Sequence, residues 1–116
     1  MTEITKKLEI IKKAVDDKKG LDMEVLEVGK LTTIAEYFVI ASGNSSSQVL
    51  SIADEIDEKM SLEGFETLGT KEGYRSARWI VLDYDDVVVH IFHREEREYY
   101  NLERLWSEFA RKPKED

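Results

Sequence analysis

Three groups of residues in this chain have types and spacings that could do chemistry. The first is "SGNSSSQ", residues 42–48, which runs from an apolar stretch into the start of a helical pattern. Serine and glycine at a helix start suit an anion, because the first backbone N–H groups are unpaired and the helix dipole favours negative charge. The second is Asp83 with Asp85. Acids two apart on a strand share a face and could hold a divalent cation. The third is His90 with His93. Taken together, a Gly-Ser turn and a pair of carboxylates are the parts of a Mg²⁺-dependent nucleotidyltransferase.

Each group also has a simpler reading. A P-loop needs a lysine after its last glycine, and none occurs between Gly43 and Lys59. A dinucleotide fingerprint needs three spaced glycines, and only Gly43 is there. Ser45 and Gln48 instead have the spacing of a capping box, with Asn44 as an alternative cap. Capping alone accounts for the polar cluster. Asp83 and Asp85 lie far downstream of Ser45, at the tip of an expected hairpin, where acids usually serve the turn. His90 and His93 differ in parity, so a strand points them to opposite faces. There is no cysteine and no HExxH pattern. The run "HREEREYYNLERLW" reads as a solvated helix face, with its aromatics in core or interface. No catalytic constellation stands out. The expectation is a binding module rather than an enzyme, with no cofactor and no metal.

Composition narrows the partners. The chain has 116 residues, 41% apolar and 36% charged, which fits one domain with a well-charged surface. No apolar run approaches the ~18 residues of a membrane span. "MTEITKKLEI" lacks the apolar region of a signal peptide. The absence of cysteine excludes disulfides and thiolate sites and fits a cytoplasmic setting. The net charge is −8. Dominant binding to a nucleic-acid backbone is disfavoured, because that relies on Lys and Arg. A basic protein partner suits the charge better, although solubility alone also explains it.

The elements that must position these residues follow from periodicity. Ile4, Leu8, Ile11 and Val15 predict a helix over 3–19, stopped near Gly20. "MEVLEVG" predicts a strand of mixed exposure, and "EYFVIAS" a central strand buried on both faces. A second helix spans 45–62 and ends at Gly64. "FETLGTKEG" reads as a weak strand. "ARWIVLDYDDVVVHIF" reads as a hairpin. With Tyr84–Asp85 as its turn, Asp83 faces Asp86, Val81 faces Val88 and Trp79 faces His90. The other face, Ile80, Leu82, Val87, Val89 and Ile91, is wholly aliphatic and suits packing under helices. A last helix, about 95–110, carries Tyr99, Leu102, Trp106 and Phe109. The expected fold is a single α/β domain over 1–110, a mixed five-stranded sheet packed by helices, with a disordered tail at 111–116.

The pieces "YFVIASGNSSSQVLSIADEI", "EGYRSARWIVLDYDDVVVHIF" and "YYNLERLW" together give the chain a specific resemblance. It resembles the Iojap family of ribosomal silencing factors over roughly residues 5–107. Glu72, Gly73 and Trp79 match one family segment. Leu82, Asp83, Asp86, Val87, Val89 and His90 match a second. Tyr100, Leu102, Glu103, Leu105 and Trp106 match a third. The resemblance implies a nucleotidyltransferase-like fold without catalytic acids. It also implies binding to the large ribosomal subunit through its fourteenth ribosomal protein, at the face where the small subunit joins. Occupying that face blocks subunit joining and represses translation. A role in large-subunit assembly and a homodimer when free are further implications. Two positions depart from the family: Asp85 where glycine is common, and Ser47 where arginine is usual. Aspartate tolerates a positive φ better than most residues, so the turn at 85 is expected to survive. An aromatic anchor flanked by acids is hot-spot chemistry, so the expected docking face is Trp79, Asp83 and His90, with Glu72, Tyr74 and Ser76 nearby.

Overall fold

The computed structural model describes residues 3–30, 33, 35–68, 74 and 76–95. Helix α1 (Glu3–Asp17) leads into β1 (Leu21–Glu27) and β2 (Tyr37–Gly43). Helix α2 (Ser46–Leu62) then precedes β3 (Trp79–Asp83) and β4 (Val87–His93). The four strands form one sheet in the order β1-β2-β4-β3. The central pair β2–β4 is parallel and both flanking pairs are antiparallel.

Both described helices pack on one sheet face. The apolar stripe of α1 and that of α2 close over Val39, Ala41, Ile80, Leu82, Val87, Val89 and Ile91, all buried. This is the aliphatic face expected from the sequence. The opposite face carries Phe38, Ile40, Val88, His90 and Phe92, also buried, with half-buried Trp79 and Val81 from β3. Strand β2 is therefore apolar on both sides because it is central.

The ends of the helices explain their lengths. After α1, Gly20 N–H donates to Val15 O and Lys19 N–H to Asp16 O, a Schellman closure. Lys19, not Gly20, takes the left-handed position, with φ 59°. Gly20 is needed for closeness, since a Cβ there would meet Val15 Cγ1 at 2.5 Å. Helix α2 closes in the same way, with Phe65 N–H on Met60 O and Gly64 at φ 87°.

Two expectations need correction. Five strands are expected, and four are present among the described residues. The weak strand "FETLGTKEG" has no strand geometry over 65–68, and 69–73 lie outside the described residues. The backbone there is already committed: Phe65 N–H closes α2, and Leu68 N–H makes one bond to Asp83 O. The hairpin register also differs. Asp83 faces Val88, Val81 faces His90 and Trp79 faces Phe92. The two central turn residues are Asp85 and Asp86, inside a Tyr84 N–H to Val87 O bond of 2.9 Å. Asp85 has φ 75°, the signature of a type II′ turn, which demands positive φ at its first central residue. Moving the turn by one residue slips the pairing by two. Every side chain therefore keeps its expected face. The closing helix expected beyond residue 95 and the tail at 111–116 lie outside the described residues.

Candidate functional site

The parallel register separates the two halves of the nucleotidyltransferase-like set. Tyr37 pairs with Val87 at one end of the sheet and Gly43 with His93 at the other. The Ser45 turn continues from the Gly43 end, while Asp83 and Asp85 sit at the Val87 end. A seven-residue strand separates them by about 20 Å at ~3.3 Å per residue. No phosphate held at Ser45 could share a metal with Asp83. Asp83 is also engaged locally, since its Oδ1 accepts the Asp85 N–H at 2.9 Å and holds the strained turn residue.

The serine cluster works as a cap with an added link. Gln48 N–H donates to Ser45 Oγ at 3.2 Å. The return bond runs from Asn44 N–H to Gln48 Oε1 at 2.6 Å, one residue earlier than a standard capping box. The amide nitrogen of Gln48 donates to Lys18 O and Lys19 O at 3.2 and 2.8 Å. One glutamine thus caps the start of α2 and satisfies carbonyls just past the end of α1. Asn44 Oδ1 accepts from Arg94 at 3.2 Å. Ser47 is exposed on α2.

The hairpin tip is fixed from the helix side. Lys7 of α1, buried to 6% exposure, donates to Tyr84 O at 2.9 Å and pairs with Asp86 at 2.8 Å. Its ammonium lies 5.2 Å from the Phe65 ring centroid. Tyr84 OH donates to Asp57 of α2 at 3.0 Å. Burial, reinforced by the Asp57 charge, pushes the Tyr84 phenol well above its usual range. Asp86 O accepts from both Glu36 and Tyr37 N–H. The tip is thereby tied to α1, α2 and β2 at once.

The opposite face carries an aromatic cluster. Trp79 stacks on Phe92 at 4.8 Å between centroids. Phe38 lies 4.7 Å from the His90 ring, tilted by 59°. Trp79 Nε1–H donates to His90 Nδ1 at 3.1 Å. That bond fixes the neutral tautomer with its proton on Nε2. The Nε2 atom is buried and has no hydrogen-bond partner among the described residues. Burial holds the His90 pKa down to about 4.

Comparisons with known proteins agree with this architecture. Residues 1–116 match the model of the family described as "Ribosomal silencing factor during starvation". The chain belongs to this family. Ribosomal silencing factor RsfS of Halalkalibacterium halodurans is 45% identical over 101 residues, 87% of this chain and 86% of that protein. RsfS of Bacillus subtilis is 44% identical over 101 residues, 87% of this chain and 85% of that protein. A crystal structure of a Chromobacterium violaceum protein superposes with a TM-score of 0.87 at 34% identity, covering 91% of this chain and 88% of that one.

For a ribosomal silencing factor, the question is which expected docking residues the fold brings together. Trp79, Asp83 and His90 share one sheet face. Ser76 is exposed just before β3, and its hydroxyl accepts from Arg78 N–H at 3.3 Å. Tyr74 does not join them. It packs into the helix-side core, where burial and the Asp54 and Asp57 charges push its phenol up. Glu72 lies outside the described residues. Sequence reasoning missed Lys7, Phe38 and the Gln48 link. Lys7 was detectable, because position 7 falls on the α1 stripe, three after Ile4 and four before Ile11. A lysine there must find a buried partner. Phe38 had no local signal, since only the strand order brings it beside His90.

Proposed function

We propose that this chain represses translation by docking on the large ribosomal subunit, through its fourteenth ribosomal protein, at the face where the small subunit joins. The mechanism is steric exclusion in the cytoplasm. The bound factor need only outlast encounters with the other subunit, and no catalysis is required. The family match across residues 1–116 carries the reading. The net charge of −8 supports it, since complementary charge speeds association with a basic ribosomal protein and fixes its register.

The docking face in this reading is centred on Trp79, Asp83 and His90, with Glu72 and Ser76 in the segment before β3; Tyr74, packed against the helix-side core, is left out of it. Trp79 is the anchor: it is half-buried and held in place by Phe92 and His90. The capped Gly43–Gln48 turn is scaffold, the remnant of a nucleotidyltransferase-like loop without paired acids. The free chain is a homodimer in this reading.

The factor should travel with large subunits in a sucrose gradient and be absent from joined ribosomes. Trp79→Ala should weaken co-sedimentation by ~1–2 kcal/mol while the protein still melts cooperatively. A folded Trp79→Ala protein that co-sediments like the parent would overturn the docking face. Recovery of the factor only in immature large particles would favour an assembly role instead.

A further inference from the structure

We infer that the outer edge of β1 binds an extended segment of a partner polypeptide as an added strand. The segment carries basic, apolar, apolar and basic residues opposite Glu27, Leu26, Val25 and Glu24. This goes beyond the docking face proposed above, because β1 and β3 lie at opposite edges of the sheet.

The backbone of β1 decides which groups are available. Val28 N–H donates to Glu36 O at 2.9 Å, one step beyond the Glu27–Tyr37 pair. Bonded and non-bonded pairs alternate along an antiparallel ladder. Leu26 and Glu24 therefore bond towards β2, while Val25 and Glu27 turn N–H and C=O outward. Tyr37 agrees, since its N–H points the other way, to Asp86 O. No described residue meets the outward groups of Val25 and Glu27. At the far edge of the sheet, by contrast, Leu68 N–H already occupies Asp83 O of β3. An edge with unpaired groups is a template for another strand, and the side chains beside it choose which one. Val25 is 37% exposed and Leu26 half-buried, so an added strand would cover apolar surface on both faces. Val25 and Glu27 share the helix-side face with Val39 and Tyr37, and Glu24 and Leu26 share the other with Ile40 and Phe38. Strand β1 holds Asp22, Glu24 and Glu27 and no lysine or arginine. Neither Glu24 nor Glu27 is in an ion pair with a described residue. Opposite charges across a strand pair attract and like charges repel. A second copy brings the same acids and a further net charge of −8, so it is a poor occupant. A strand with a basic residue opposite each glutamate and apolar residues between them fits. That order reads the same from either end, so it holds for parallel and antiparallel addition alike.

The test titrates the full chain with short capped peptides and follows its amide signals by NMR. The peptide cores are Lys-Val-Val-Lys, its charge reverse Glu-Val-Val-Glu, and the rearranged Val-Lys-Lys-Val. The first should bind about tenfold more tightly than either of the others, and should slow hydrogen exchange at Val25 and Glu27. Val25→Pro removes one outward donor and spares the bonds to β2. It should abolish this binding while the protein still melts cooperatively. The double variant Glu24→Lys with Glu27→Lys should exchange the preference and take Glu-Val-Val-Glu, and it serves alone if Val25→Pro does not fold. A double variant that keeps the parent's preference overturns the inference. Equal affinity for Lys-Val-Val-Lys and Val-Lys-Lys-Val would mean attraction to the net charge alone, and overturns it too. So does failure of Lys-Val-Val-Lys to bind, or undiminished binding by a folded Val25→Pro protein. Protection of Val25 and Glu27 that grows with protein concentration in the absence of peptide would make the edge a contact between two copies, and also overturns it.

Discussion

At the scale of residues, His90 and Lys7 are two buried polar groups treated in opposite ways. Lys7 sets its charge against Asp86 and donates to Tyr84 O. His90 keeps none, because its shell is apolar and its pKa falls from 6.5 to about 4. A histidine pKa lower in the folded than in the unfolded state makes stability rise with pH. The contribution is complete above the unfolded value near 6.5, and is lost as pH falls from there towards 4. The full loss is about 3 kcal/mol at ~1.4 kcal/mol per pKa unit. Urea midpoints measured from pH 7 to pH 4.5 should fall in the parent, and this component should be absent in His90→Phe. Lys7→Met should cost about 2–4 kcal/mol, because Asp86 stays partly buried without its cation. Thermal melts of the two proteins at pH 7 would show it. The burial of His90 is half legible in the sequence. Parity places it on the Trp79 face, but the contact with Phe38 depends on a β2–β4 pairing that no local pattern announces.

At the scale of elements, the helix ends and the hairpin show how far local rules reach. The α2 cap is readable from Ser45 and Gln48, since capping spacing is short-range chemistry. The second role of Gln48, closing carbonyls after α1, is not readable, because it needs the two helices side by side. Gln48→Ala should therefore cost more than an isolated cap, about 1–2 kcal/mol, seen as a lower denaturation midpoint with an unchanged m-value. Lys19 holds a left-handed position that glycine occupies without strain, so Lys19→Gly should stabilise the chain by about 0.5–1 kcal/mol. The hairpin is recognisable from its two β-branched runs, yet those runs alone place its turn one residue early. "DYDD" offers several adjacent acids as turn residues. The choice falls on Asp85–Asp86 because Lys7 and the Glu36 and Tyr37 amides hold Asp86. "FETLGTKEG" fails as a strand over 65–68 because closing α2 takes precedence over extending the sheet.

At the scale of the whole molecule, the strand order decides what the motifs can mean. A Gly-Ser turn and paired acids look like one site on paper, and the sheet sets them at opposite ends. The acidic surface acts at this scale as well. If a basic ribosomal surface is the target, association with large subunits should slow several-fold between ~50 and 300 mM salt, while dissociation changes less. Stopped-flow mixing at two salt concentrations would measure it. The central β2–β4 pair has one further consequence, which concerns the order in which the molecule can be made. Strand β2, buried on both faces in the finished fold, finds its parallel neighbour only when residues 87–93 exist. Lys7 waits for Asp86, 79 positions later. Non-local pairings of this kind form slowly. A nascent chain that has exposed α1, β1, β2 and α2 still lacks the strand that closes its core. The core therefore cannot close until β4 has been made, and until then β2 is the apolar segment open to a chaperone or a protease.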